Sequence, residues 1–175
     1  MTNTGRYIRA VLWDMDGTLM DSQPLWDEFF RRCCQERGGT VTPEQVAGIA
    51  GASIARTCEL IAETGATASP EDPATAEVFA KISAQVEAAV RADPPILPGA
   101  RSITATLNEV GLAQVIVTQS PRPIVEAVAH ALGDVFVELV TGDDGLPGKP
   151  TPAPYAAAIE LLGLSPEECV VVEDS

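Results

Sequence analysis

Basic side chains are scarce in this sequence of 175 residues. Eleven Lys and Arg stand against 25 Asp and Glu, which gives a formal net charge of -14. Proteins bind nucleic acids largely through Lys and Arg side chains that neutralise backbone phosphates. Because a chain this acidic would repel a polyanion, we expect no nucleic-acid partner.

Long apolar runs are also missing. The start of the chain, MTNTGRYIRAVLWD, has no stretch of the length found in signal peptides, and no later stretch is long and apolar enough to span a membrane. We therefore expect a cytoplasmic protein without a membrane partner. The hydrophobic fraction of 46% and the charged fraction of 21% are typical of a folded globular chain, whereas its oligomeric state has no signal in the sequence.

Residues typical of zinc or disulfide sites are few and poorly spaced. The four cysteines form no C-x-x-C pair and no zinc-like pattern, so we expect reduced thiols that serve packing: Cys33, Cys34, Cys58 and Cys169. The single histidine, His130, lies between two alanines of a helical pattern. We expect no catalytic role for it.

Apolar, partly β-branched runs that end at polar or turn residues predict buried strands at 8–13, 115–118, 135–141 and 169–173. Helical patterns lie between them and are each followed by a glycine, at 101–110, 123–132 and 152–162. This alternation predicts an α/β fold with an open parallel sheet that is buried on both faces. Ligands bind such sheets at the carboxyl ends of the strands.

Residues 21–94 interrupt this alternation, because they show helical patterns and no convincing strand. The first helix carries an apolar stripe and stops at Gly38-Gly39, and Thr42 and Ser53 are typical helix starts. The Pro-rich return at 93–99 is typical of a hinge. We predict a helical cap domain at 21–94 that is inserted into a catalytic core made of residues 1–20 and 95–175.

Directly after the first predicted strand comes Asp14-Met15-Asp16-Gly17-Thr18-Leu19. Two carboxylates one residue apart at a strand end could divide the work of attack and proton transfer. A calcium loop is excluded, because the glycine lies too close to the first Asp and no carboxylate closes the loop. A polar strand end without chemistry stays open as an alternative.

This hexapeptide, followed by Asp21-Ser22, resembles the first motif of the haloacid dehalogenase superfamily. The resemblance implies a Rossmann-like core with a small helical cap. It also implies that Asp14 is the nucleophile that becomes phosphorylated and a magnesium ligand. Asp16 would be the acid and base, and its backbone carbonyl would bind Mg²⁺. Gly17 and Thr18 would contact the substrate phosphate.

Further positions match this family in the expected order. The resemblance implies that Thr118 holds the phosphate together with Gln119 and Ser120, and that Lys149 offsets the charges of Asp14 and phosphate. Glu173-Asp174-Ser175 resembles the last motif, whose acids bind Mg²⁺, with Asp174 as the main ligand and Glu173 in support.

Each of these matches also has an ordinary explanation when it is taken alone. A hydroxyl at a strand end such as Thr118 is often a cap, and Lys149 could be a solvated surface lysine. A P-loop is excluded at Lys149, because Pro150 follows where Ser or Thr is required. Asp144 is either a supporting acid, as in relatives, or an ordinary loop residue.

The resemblance implies a magnesium-dependent phosphatase that acts on a small phosphomonoester, such as a sugar phosphate or phosphoglycolate. Pro24-Leu25-Trp26-Asp27 is similar to sugar phosphatases in particular. Phosphosugar mutases of this group usually have His in place of Trp26, which makes the mutase the second hypothesis. Dehalogenases proper lack Asp16. Relatives continue past the last motif whereas this chain stops at Ser175, so the third hypothesis is a truncated, inactive binding module.

Overall fold

The computed structural model describes residues 7–174. A four-stranded parallel sheet forms the core, with strand order β3-β2-β1-β4. The strands are β1 (Ala10–Trp13), β2 (Ala113–Val117), β3 (Glu138–Val140) and β4 (Cys169–Val172). The α/β fold with a parallel sheet is therefore confirmed. Residues 1–6 of the predicted core and Ser175 of the last motif lie outside the described residues.

In the described part of the chain, seven α-helices surround this sheet or form the insertion: α1 (Gln23–Glu36), α2 (Pro43–Ala47), α3 (Ile54–Glu63), α4 (Pro73–Ala92), α5 (Ala100–Glu109), α6 (Arg122–Ala131) and α7 (Ala153–Leu162). Short 3-10 turns at Gly142–Asp144 and Pro166–Glu168 precede α7 and β4. Within residues 7–174, no helix combines the length and the hydrophobicity that crossing a bilayer requires.

The central strand β1 is buried over its whole length because both of its faces are covered. Val11 and Trp13 belong to a large cluster that includes Val128 of α6, whereas Leu12 packs on the other face with Ala158 of α7. This arrangement explains why the strand is a continuous apolar run rather than an alternating one. It also places the end of β1 in the middle of the sheet edge.

Two predictions about the outer strands were wrong. The strand predicted at 135–141 is limited to Glu138–Val140, which pair with Val115–Val117 of β2. Burial on both faces fails for β4, where Val170 and Val171 are 40% and 45% exposed. Among the strands of residues 7–174, β4 pairs with β1 alone and lies at the edge of the sheet.

Residues 23–92 contain four helices and no strand. Thr42 and Ser53 cap α2 and α3 as predicted, since their hydroxyls accept hydrogen bonds from the backbone N–H groups of Gln45 and Arg56. Helix α4 packs against α1 and α3 of the insertion and also against α6 of the core. The exact domain boundaries at 21 and 94 stay predictions.

Two backbone connections join the insertion to the core side by side. The N–H of Asp21 donates to the carbonyl of Pro95 at 2.9 Å, and the N–H of Leu97 donates to the carbonyl of Leu19 at 2.9 Å. The insertion therefore leaves and re-enters the core at one place, next to the loop after β1.

The surroundings of the four cysteines and of the single histidine bear on their predicted roles. All four cysteines are free thiols, and Cys33 and Cys34 are buried in the apolar cluster. The side chain of His130 is 80% exposed on α6 and contacts Asp134. Neither the thiols nor the imidazole contributes to the cleft described below.

Gln114 is a fully buried polar side chain on β2 that links the sheet to α5. Its Oε1 accepts a hydrogen bond from Trp13 Nε1 at 3.0 Å, and its Nε2 donates to the carbonyl of Thr104 at 2.8 Å. Both hydrogen bonds lie out of reach of solvent, so no water would replace a lost partner.

We expect Gln114→Met to lower the free energy of unfolding by about 1–3 kcal/mol, because the buried indole N–H of Trp13 loses its acceptor while the side-chain volume is kept. The control is Gln35→Met on the exposed surface of α1. Denaturant unfolding of both variants measures the difference. Equal stabilities would mean that the buried pair contributes nothing.

Candidate active site

Polar side chains from four separate loops meet at the carboxyl edge of the sheet. Asp14 follows β1, Thr118 follows β2, Glu173 follows β4, and Lys149 lies in the loop before α7. Together they line a cleft of about 870 Å³ whose opposite wall comes from the insertion. The parallel strand order explains this meeting, because β2, β1 and β4 are direct neighbours.

Lys149 is the cation at the centre of this cleft. Its Nζ lies 2.6 Å from Oδ1 of Asp14 and 2.7 Å from Oε1 of Glu173. The Lys149 side chain is only 17% exposed and that of Asp14 only 9%. A buried ion pair of this kind interacts more strongly than a surface pair, since water screens it poorly.

Burial and charge pairing set the ionisation of these groups. Burial raises the pKa of Asp14, and the hydrogen bond and the positive charge of Lys149 oppose this rise. Burial alone would lower the pKa of Lys149, but hydrogen bonds to Asp14, Glu173 and Tyr155 raise it above its usual range. Lys149 therefore keeps its positive charge at neutral pH.

Tyr155 on α7 completes the lysine's surroundings. Its hydroxyl donates to Glu173 Oε1 at 2.5 Å, and the Lys149 Nζ lies 5.1 Å from the centre of its ring. Burial raises the pKa of Tyr155 to about 12, with Glu173 as a further cause. The phenol thus stays protonated, and it holds the carboxylate of Glu173 in place beside the lysine.

Three hydroxyls hold the carboxylate of Asp16. Thr118 Oγ1 donates to Oδ2 at 3.0 Å, Ser120 Oγ donates to the same oxygen at 2.7 Å, and Ser22 Oγ donates to Oδ1. These donors come from the loop after β2 and from the residue before α1. Asp16 is therefore fixed between core and insertion, with both of its oxygens engaged.

The turn after β1 requires a glycine at position 17. Gly17 has φ of +96°, in the left-handed region that side chains with a Cβ disfavour. A Cβ at this position would also collide with Oδ2 of Asp174. The close approach lets the last acidic residue of the described chain sit directly against the loop that carries Asp14 and Asp16.

Carboxylate oxygens of Asp14, Glu173 and Asp174 lie within 4.8 Å of one another. Oδ2 of Asp14 is buried, and it has no hydrogen-bond partner among residues 7–174. Hard divalent cations such as Mg²⁺ prefer oxygen ligands of this kind. The donor set and the unpartnered buried oxygen both fit such a cation.

Other residues singled out in the sequence have different surroundings. Gln119 lines the cleft, and its Nε2 donates to the carbonyl of Gly51 in the insertion at 2.8 Å. Thr18 does not line the cleft, and its hydroxyl oxygen is buried. Asp144 forms an ion pair with Arg122 at 2.7 Å and lies outside the cleft lining, which supports the interpretation as a loop residue.

A family model described as haloacid dehalogenase-like hydrolase matches residues 8–175. The chain belongs to this family. The resemblance seen in the motifs is thus confirmed over nearly the whole chain.

Two relatives of this haloacid dehalogenase-like hydrolase are named as phosphatases, and one similar solved structure is named as a mutase. Hexitol phosphatase A of Escherichia coli (strain K12) is 33% identical over 168 residues, which cover 95% of this chain and 74% of that protein. A phosphoglycolate phosphatase of Rhodospirillum rubrum is 27% identical, with 95% and 72% covered. The crystal structure of a β-phosphoglucomutase from Clostridium difficile has a TM-score of 0.81 at 18% identity, with 96% and 77% covered. That likeness shows the fold alone.

Sequence reasoning on this hydrolase missed Tyr155 and the role of Ser22. Ser22 was visible as the residue after Asp21, at the end of the first motif, but nothing local indicates that its hydroxyl bonds back to Asp16. Tyr155 lies six residues after Lys149 on the first turn of α7. Its contact with Glu173 depends on how α7 and β4 are brought together in three dimensions.

We expect Lys149→Met to raise the pKa of Asp14 further, because the cation that opposes the effect of burial is removed. Carbon-13 NMR of the Asp14 carboxyl during a pH titration without divalent ions measures the change. Arg122→Met removes a cation that pairs with Asp144 instead, and it serves as the control that leaves Asp14 unaffected. An unchanged or lowered pKa in Lys149→Met would show that the pair does not form in solution.

Proposed function

We propose that this protein is a magnesium-dependent phosphatase that hydrolyses small phosphomonoesters, such as sugar phosphates, through a phosphorylated Asp14. The observation that carries the proposal is the 2.6 Å contact between Lys149 Nζ and Asp14 Oδ1 inside a cleft that also holds Glu173 and Asp174. Relatives named as phosphatases support the same reaction class.

The electrostatic problem of this reaction explains the arrangement. A carboxylate that attacks a phosphate ester is an anion approaching an anion, and the repulsion is severe in a site shielded from water. Lys149 is held beside Asp14 by Glu173 and by the ring of Tyr155. Its ammonium group is therefore in position before the substrate arrives, and no reorganisation is needed at the moment of attack.

In the first proposed step, a carboxylate oxygen of Asp14 forms a bond to phosphorus while the ester P–O bond breaks. The leaving oxygen takes a proton from Asp16, which enters this step as the carboxylic acid. In the second step Asp16 removes a proton from water, the water oxygen bonds to phosphorus, and the bond between phosphorus and Asp14 breaks. Inorganic phosphate and the free alcohol are the products, and both aspartates return to their starting states.

Asp14, Asp174 and Glu173 would hold the magnesium ion, with the backbone carbonyl of Asp16 as a predicted fourth ligand. When bound, the cation neutralises phosphate oxygens and aligns the ester with the attacking group. Glu173 Oε1 is already shared by Lys149 and Tyr155. We therefore assign the main protein ligands to Asp14 and Asp174, with Glu173 in a supporting place.

Two other functions remain as competing hypotheses. A phosphosugar mutase is disfavoured by Trp26, which lines the cleft where mutases of this group usually have His. Isomerised sugar phosphate that forms faster than free phosphate would favour the mutase. An inactive binding module is the other hypothesis, and turnover by purified protein with bound Mg²⁺ and a cooperative melt would dismiss it. A cytoplasmic location of the enzyme stays a prediction.

We expect Asp14→Asn to reduce phosphate release from an aryl phosphate by at least about 10³-fold, because the amide cannot act as the nucleophile. The assay measures phosphate in the presence of Mg²⁺. Asp134→Asn is the control, since Asp134 is exposed after α6, outside the cleft. Full activity of Asp14→Asn would remove Asp14 from its assigned role.

We expect a chelator to abolish phosphate release and added Mg²⁺ to restore it. The phosphate assay measures this loss and recovery.

A variant tests the role of Asp174 separately. We expect Gly17→Ala to weaken Mg²⁺ binding about 10- to 100-fold, because the new Cβ displaces the carboxylate of Asp174. Gly111→Ala has a comparable positive φ, +79°, with no atom within 4 Å of the new Cβ. It is the control for backbone strain alone. Calorimetric titration with Mg²⁺ compares the two, and equal affinities would contradict the assignment of Asp174.

A further inference from the structure

The wall of the cleft that helices α1 to α4 contribute carries no charge, and the one charged lining residue of the insertion is Asp21, just before α1. From α1 to α4 the residues that line it are neutral, and most of them are apolar: Gln23, Trp26, Ile49, Ala50, Gly51, Ala52, Ile54, Thr57 and Phe79. Trp26 and Phe79 are partly buried against the main apolar cluster, so their rings are fixed at the cleft surface. This wall is suited to C–H groups and hydroxyls rather than to ions.

The opposite wall of the cleft is strongly negative. Among its lining residues, Lys149 is the single cation against five carboxylates: Asp14, Asp16, Asp21, Glu173 and Asp174. Lys149 is already engaged by Asp14 and Glu173. It can serve the phosphate that reacts next to Asp14, and it leaves no second cationic side chain for another anionic group within the lining.

No arginine lines the cleft, and two arginines on helices that flank it are occupied elsewhere. Arg56 of α3 forms ion pairs with Glu59 and Glu63, both at 2.8 Å, and it is absent from the cleft lining. Arg122 of α6 is paired with Asp144. Neither guanidinium can reach the space between Trp26 and Lys149 without giving up its present ion pair.

A substrate with a carboxylate or a second phosphate would have to place that charge against this neutral wall. The charge would lose water without gaining a counter-ion, because no cationic side chain lines this wall. An uncharged alcohol would meet no such penalty, and its carbon skeleton could pack on the aromatic rings. The charge distribution of the cleft therefore separates substrates by what the phosphate is attached to.

We propose that the enzyme selects phosphomonoesters whose leaving group is uncharged, and that it discriminates against esters carrying a carboxylate or a second phosphate. This inference rests on the proposed phosphatase function and adds the substrate class to it. It places the selectivity in the insertion, while the chemistry lies in the core.

A matched pair of substrates tests the inference. Sorbitol 6-phosphate and 6-phosphogluconate have the same carbon chain and differ at the far end, which is a neutral CH₂OH group in one and a carboxylate in the other. We expect kcat/KM for phosphate release to be at least about tenfold higher for sorbitol 6-phosphate, and the ratio to fall as ionic strength rises. A ratio near one, or a preference for the acid, would overturn the inference.

Variants locate the cause of the selectivity. Ala52→Arg adds a cation at the neutral wall, and it should raise kcat/KM for 6-phosphogluconate and narrow the ratio. Ala52→Gln adds a polar side chain without the charge, and Ala47→Arg adds the same charge at an exposed position of α2 outside the cleft lining. Both controls should keep the wild-type ratio. An unchanged ratio in Ala52→Arg would contradict the electrostatic origin.

Failure of this inference is distinguishable from failure of the proposed function. If neither substrate nor an aryl phosphate releases phosphate in the presence of Mg²⁺, the phosphatase function itself is wrong. If phosphate is released with no preference for the neutral leaving group, the function stands and only the selectivity is wrong.

Discussion

The arrangement of the cleft depends on one ammonium group that lies between two carboxylates. Lys149 contacts Asp14 of the loop after β1 and Glu173 of the loop after β4, so it connects the ends of two neighbouring strands. Without it, acids from both loops would repel one another at short range in a site with little water. The same charge compensation that allows these acids to gather also makes the site suitable for an anionic ester.

The parallel sheet is what brings these groups together from distant parts of the chain. Asp14, Thr118 and Glu173 each follow a strand, and adjacent parallel strands end at one edge. Local structure then refines the positions. Gly17 permits contact of the first loop with Asp174, and Ser22, Thr118 and Ser120 orient Asp16. The parallel sheet that organises the fold therefore also assembles the site.

Features encoded in short stretches of sequence were predictable, and those that depend on tertiary contacts were not. The apolar run before Asp14 predicted a buried strand, and the glycine after α7 marked the helix end at Gly163. The exposure of Val170 and Val171 could not be predicted from their apolar run, because burial depends on which elements pack against β4. The contact of Tyr155 with Glu173 joins two elements that are distant in sequence, so no local pattern predicts it.

The central position of β1 also has a consequence for how the molecule forms at the ribosome. This strand is made first, yet its two neighbours begin at Ala113 and Cys169. The apolar strand β1 therefore stays without its partner strands while the four helices of the insertion are synthesised. Contacts of such large sequence separation form slowly. Pairing of β1 with β4 thus has to wait until Cys169 and the residues after it have been synthesised.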